Sequence, residues 1–329
     1  MKVKALKETL QALIAEKLPA FVWGSPGIGK SAIIKEIAED LSIDFIDLRF
    51  SLLAPTDLHG IPFLQEDVTS WALPDFLPRD DTKAGILFLD ELNEASVSVQ
   101  AAAYQLILDR KIAGYELPSN WAIIAAGHHE NAQMIEARLS PLLANRFVHF
   151  ELDLSVDDWR TWAYANHIDH MIISFLSAYP DLLSTFDTNT KSHSFATPRS
   201  WEFVDTILKS KIETSKILES IGGAVGHENA ASFLTYRETL EELPDYHAIF
   251  EGRSSLYPQE ATALYKLASI LVTQALRNPE KIVLNNMLRY TLKMKPEFAI
   301  LIIGDLQAQG VRFDRLEAWR DWTTTFNQL

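Results

Sequence analysis

Two continuous apolar runs, Gly85-Ile86-Leu87-Phe88-Leu89 and Trp121–Ala126, carry no polar alternation. A run of strand length without alternation has no face to offer water, so it fits a strand covered on both sides. Such strands occur in parallel sheets, whose crossover helices supply the cover. The first part of this chain is thereby restricted to an α/β architecture. Phe21–Trp23, Asp44–Leu48 and Phe147–Leu152 complete the strand set, which predicts a parallel five-stranded sheet.

Helical spacing lies between these runs. Val3, Leu6, Leu10, Leu13 and Ile14 share one face of a segment that Leu18-Pro19 stops. Ile33, Ile34, Ile37, Ala38 and Leu41 form a second apolar face, and Val99, Ala102, Ala103, Leu106 and Ile107 a third. Arg110–Pro118, with Gly114 at its middle, predicts a small hairpin. The proline-studded stretch Leu52–Arg79 supports no regular assignment. From about residue 155 glycines thin out and helical spacing dominates, as in Ala263, Leu267, Ile270, Leu271 and Ala275, or Ile207, Ile212, Ile217 and Ile221. The expected organisation is an α/β domain over 1–153, a helical segment over 154–241 and a helical extension over 242–329.

Composition removes several chemistries. Hydrophobic residues make up 47% and charged residues 22% of the 329, which excludes disorder as the main state. There is no cysteine, and therefore no disulfide framework, thiolate zinc site, iron–sulfur cluster or cysteine nucleophile. The net charge of −14 argues against a general nucleic-acid binder, because phosphate-backbone affinity rises with Lys/Arg contacts. No apolar run is long enough to span a bilayer, and charge interrupts the N-terminus, so a cytoplasmic protein with no membrane partner is expected.

The segment Gly24-Ser25-Pro26-Gly27-Ile28-Gly29-Lys30-Ser31 lies between a short strand and a helix. Glycines there let the backbone aim its N–H groups inward, and the following helix adds its positive end. This is the pattern of a phosphate-binding loop, with Lys30 reaching the phosphates of ATP and the Ser31 hydroxyl on Mg²⁺. Ile86-Leu87-Phe88-Leu89-Asp90-Glu91 is its companion: a buried strand that ends in two carboxylates invites a cation and a proton-transfer task. Asp90 is assigned to the Mg²⁺ and Glu91 to the attacking water.

Together with Trp121–His128, Ser140-Pro141-Leu142-Leu143-Ala144-Asn145-Arg146-Phe147 and Thr197-Pro198-Arg199-Ser200, these motifs resemble the MoxR branch of the AAA+ ATPases over roughly residues 1–220. The resemblance implies an AAA+ P-loop domain, an all-α lid and a helical extension. It implies a chaperone-like hydrolase acting on a protein partner, one bearing a von Willebrand factor A-type domain, from within a homo-oligomeric ring, typically a hexamer. It also places His128 at the sensor 1 position, where the family carries Asn; His129 and Asn131 stand close by as alternatives. Arg146, with Arg138 as the second choice, matches the arginine finger, and Arg199 matches the sensor 2 arginine. Leu53–Gly60 resembles the family's axial loop region, and Arg110–Pro118 its hairpin before sensor 1. A nucleic-acid-directed motor and a nucleotide-dependent assembly scaffold with little turnover are the alternatives; Leu53–Leu64 has no Lys or Arg, which weighs against the former.

Other constellations lead nowhere. His129-Glu130-x-x-Gln133 lacks the second His of a zinc-protease helix. His167 and His170, at helical spacing, have no third ligand, and Trp159, Trp162 and Tyr164 read as core.

Overall fold

The computed structural model describes residues 1–128, 139–187, 192–239, 243–254 and 256–326. His129, Asn131 and Arg138, the zinc-protease-like segment and the border at 241/242 lie outside the described residues. The chain divides into two compact units, Met1–Leu154 and Ser155–Leu329.

In the first unit, helix α1 (Val3–Ala15) precedes strand β1 (Ala20–Trp23) and helix α2 (Lys30–Asp40). Strand β2 (Asp44–Arg49), the short helix α3 (Pro55–His59) and strands β3 (Ile61–Gln65) and β4 (Val68–Ala72) follow. Then come β5 (Gly85–Asp90), helix α4 (Val97–Asp109), β6 (Lys111–Ile112), β7 (Tyr115–Glu116), β8 (Trp121–Gly127), helix α5 (Pro141–Ala144) and β9 (Val148–Glu151). Five strands form one sheet in the order β2-β5-β8-β1-β9, every pair parallel.

The missing alternation now has its explanation. Ile86 and Phe88 of β5, with Ala122, Ile124 and Ala126 of β8, pack against Leu6, Leu10 and Ile14 of α1 and Ile34 and Ile37 of α2. Leu87, Leu89, Ile123 and Ala125 project to the other face, against Val99, Ala103, Leu106 and Ile107 of α4. Each such buried Leu or Ile contributes about 1.5–3 kcal/mol relative to exposure. Both faces of the central strands are thus dry, and their ends are the places where polar chemistry can sit.

The proline-studded stretch is ordered after all. Strands β3 and β4 form an antiparallel two-stranded ribbon whose turn is made by Glu66 (φ 51°) and Asp67 (φ 59°). Two left-handed residues in a row are the demand of a tight hairpin, normally met by Asn-Gly, so no sequence signal marks this turn. Arg110–Pro118 does contain the small hairpin, β6 paired with β7.

The second unit is helical. It contains α6 (Val156–Ala165), α7 (His170–Ala178) and α8 (Pro198–Lys209), followed by helices at Ile217–Val225, His227–Glu238, Tyr246–Phe250, Ala261–Arg277, Lys281–Thr291, Pro296–Ala308 and Trp319–Phe326. One apolar core runs through it, with Trp201, Phe175 and Phe233 fully enclosed. Ile207 and Ile212 do not share a helix with Ile217 and Ile221, because α8 ends at Lys209 and the next helix starts at Ile217. His167 and His170 are also not on one helix: His167 takes a left-handed turn (φ 55°) after α6, and His170 opens α7. Trp159 and Tyr164 are buried in the core, and Trp162 packs against it.

Candidate nucleotide site

Parallel strands deliver their C-terminal ends to one edge of the sheet, and that edge collects the predicted groups. The loop 24–29 leaves β1, Asp90 ends β5, and His128 follows β8, the strand between them. Gly27 (φ 72°) and Gly29 (φ 104°) hold left-handed conformations. A side chain at 29 would meet no atom within 4 Å, so conformation and not space requires glycine there. The turn at Gly29 starts α2 at Lys30, so the amides of the first helical turn, which have no intrahelical acceptor, belong to the loop itself.

Lys30 is 6% exposed. Its Nζ donates to the carbonyls of Gly24 (2.8 Å) and Ser25 (3.2 Å) and lies 3.0 Å from His128 Nδ1. Ser31 Oγ donates to Asp90 Oδ2 at 3.1 Å, and Asp90 is itself buried. The Glu91 amide donates to Asp90 Oδ1 at 3.0 Å, with Glu91 in a left-handed conformation (φ 55°) uncommon for a non-glycine residue. The carboxylate of Glu91 accepts from Ser51 Oγ and lies 4.0 Å from Arg49 Nε.

This donor set fits a nucleoside triphosphate with Mg²⁺. An ammonium and helix-start amides suit phosphate oxygens, while a hydroxyl paired with one carboxylate suits a hard cation that keeps most of its other ligands as water and phosphate. Among the described residues no group of three or more His, Cys, Asp or Glu side chains could hold a metal ion.

His128 is half-buried, and burial first and the Lys30 ammonium second hold it below its ordinary value of 6.5. Its Nε2 lies 3.9 Å from Glu94 Oε1. On β2, burial raises Asp47, and the nearby Asp90 carboxylate adds to this. Sequence reasoning missed Asp47, Arg49, Ser51, Asn93 and Glu94. Only the sheet order, which sets β2 beside β5, brings the first three to the acidic pair.

The remaining predicted residues fall elsewhere. Arg146 is exposed after α5; its Nη2 donates to Tyr104 Oη at 3.0 Å and its guanidinium lies 5.6 Å from the Tyr104 ring centre. Arg199 is exposed in the first turn of α8. That helix start is built by its own sequence: Ser200 N donates to Thr197 Oγ1 (3.1 Å), and Thr197 N donates back to Ser200 Oγ (2.7 Å). In Leu53–Gly60, Asp57 caps α3 by accepting from Ala54 N at 2.7 Å.

Residues 20–152 match the family model described as ATPase family associated with various cellular activities (AAA). The match spans the segment that builds the sheet and ends before the helical unit begins. Among solved structures, the RuvB Holliday junction branch migration motor of Thermotoga maritima is 14% identical, over 98% of this chain and 86% of that one, with a TM-score of 0.39. NtrX from Brucella abortus in complex with ADP is also 14% identical, over 94% of this chain and 68% of that one, with a TM-score of 0.43. No curated protein matches the sequence. No helix among the described residues is long and apolar enough to cross a membrane.

Proposed function

We propose that this chain is an ATP-hydrolysing AAA+ ATPase of the MoxR type that uses nucleotide turnover to remodel a protein partner. The observation that carries the hydrolysis is the convergence of Lys30, Ser31, Asp90 and Glu91 at one sheet edge. Bound ATP–Mg²⁺ supplies the reactive anhydride and the charge that screens it. Lys30 offers its ammonium to phosphate oxygens in exchange for the carbonyls it now holds. Ser31 and Asp90 supply the protein oxygens for the metal. Glu91 orients a water and takes its proton, while the buried strand ends keep other water away.

Arg146, exposed at the rim of the same unit, is the residue offered to a neighbouring protomer's nucleotide. A finger supplied in trans requires a cyclic homo-oligomer, for which a hexamer is the family's usual closure. Arg199 is the second arginine of the same cycle. The protein partner carries a von Willebrand factor A-type domain on this reading, and the absence of Lys and Arg from Leu53–Leu64 supports a protein over a nucleic acid.

Phosphate release from ATP by the native protein and by Glu91→Gln tests the enzyme reading. Removing a positioned base should lower turnover by about 10²–10⁴-fold while ATP binding persists. Turnover already at background in the native protein, and unchanged in the variant, would make the chain a nucleotide-dependent scaffold.

A further inference from the structure

Asn93 is 2% exposed and sits in a short 3-10 turn, Leu92–Glu94, directly after the acidic pair. Its side-chain amide grips the backbone of one residue at both ends: Nδ2 donates to His128 O at 3.1 Å, and Oδ1 accepts from His128 N at 3.3 Å. The approach is close enough to dictate the preceding residue. A Cβ on Gly127 would lie 2.2 Å from Asn93 Oδ1 and 2.8 Å from Phe21 Cζ, so only glycine admits the amide.

The clasp sets what the His128 ring meets. Nδ1 lies 3.0 Å from Lys30 Nζ and 3.2 Å from the Gly24 carbonyl oxygen; the ammonium has donors only and already supplies that carbonyl at 2.8 Å, so the closer contact assigns Nδ1 as acceptor. The ring proton then sits on Nε2, toward the Glu94 carboxylate 3.9 Å away. Glu94 immediately follows Asn93, so one turn supplies both the group that fixes the backbone of His128 and the carboxylate that faces its ring.

We infer that Asn93 is a positioning residue: by clasping the His128 backbone it holds the imidazole against Lys30 as the Nε2–H tautomer, and through that contact it sets how tightly the loop takes a nucleoside triphosphate. The inference rests on the nucleotide-site reading above. A loosened ring can turn its N–H edge toward Lys30, a donor facing a donor, which pushes the ammonium from the place in the loop where it would meet phosphate oxygens.

Equilibrium binding of ATP in the presence of Mg²⁺ to the full chain tests it, in a double-mutant cycle of Asn93→Ala and His128→Ala. Asn93→Ala should weaken ATP about five- to tenfold in the native background, within the range for contacting residues, and have almost no further effect once His128 is Ala. Equal loss in both backgrounds would overturn the inference, because a merely structural Asn93 acts regardless of the ring. Imidazole ¹⁵N shifts give a second readout: native His128 should show one neutral Nε2–H form and Asn93→Ala a tautomer mixture, and an unchanged spectrum overturns the inference. If Asn93→Ala does not fold, Asn93→Asp, which keeps the acceptor and loses the donor, takes its place in the cycle with a smaller loss expected. Lys30→Ala separates the two levels: retained ATP binding there defeats the site reading, whereas lost binding there with an additive Asn93 effect defeats only the role of Asn93.

Discussion

Ser51 donates its hydroxyl to Glu91 Oε2, and Arg49 Nε lies 4.0 Å from the same oxygen. Arg49 ends β2 and Ser51 lies in the short 3-10 turn, Phe50–Leu52, that follows it, so the proposed base is restrained from the neighbouring strand and not from its own. The hydroxyl and the guanidinium occupy an oxygen that an orienting base would otherwise offer to water. Ser51→Ala should therefore raise basal phosphate release about two- to tenfold at unchanged ATP affinity, the net size of one ordinary hydrogen bond. Steady-state kinetics with kcat and KM resolved separately check this; a fall in affinity with kcat unchanged would place Ser51 in the binding loop instead.

His128 carries a pH dependence of known sign. Burial and Lys30 depress it, while the Gly24 carbonyl and the Glu94 and Glu91 carboxylates pull the other way with less effect. A depressed folded value means that its contribution to stability is complete above 6.5 and is lost as pH falls through the folded value. The stability difference between the native protein and His128→Asn should be constant from pH 8 down to about 6.5 and shift against the native protein below that. Urea denaturation at a series of pH values measures it.

In the helical unit, Arg160 Nε holds both carboxylate oxygens of Asp305, at 2.8 and 2.9 Å, and both residues are buried. Burial outweighs the arginine and pushes Asp305 up to about 6. A raised carboxyl favours the fold at pH below 3.8 and loses that contribution as pH rises through about 6. Arg160→Met leaves the carboxyl without its partner and should cost about 3–5 kcal/mol at pH 8, less at pH 5 where the group is neutral. Adding Asp305→Leu should restore much of the loss at pH 8. Thermal melts of the three variants decide it.

The β3–β4 ribbon exposes Ile61 (71%), Leu64 (74%) and Val68 (64%). Their replacement by Ser should leave unfolding free energy within about ±0.5 kcal/mol, since surface side chains away from a packed feature contribute little. On the proposed reading, remodelling of a protein partner should fall while phosphate release stays near native. A large drop in stability would mean that these side chains are packed in the folded chain.

Much of this was legible in the residues alone. The apolar runs of β5 and β8 announced a doubly covered parallel sheet, because an unalternating strand has no wet face. Gly24 to Ser31 announced a tight glycine turn running into a helix, because that geometry is carried by neighbours in sequence. The Thr197–Ser200 helix start was equally local. What the residues could not announce depends on which strands lie side by side. Ser51 and Arg49 reach Glu91 only because β2 pairs with β5, and Asn93 reaches His128 only because β5 pairs with β8. The β3–β4 turn, built from Glu66 and Asp67, was silent because neither residue is a usual hairpin former. Short-range geometry is written in sequence spacing; contacts between strand ends depend on sheet order, which is settled by packing of the whole domain.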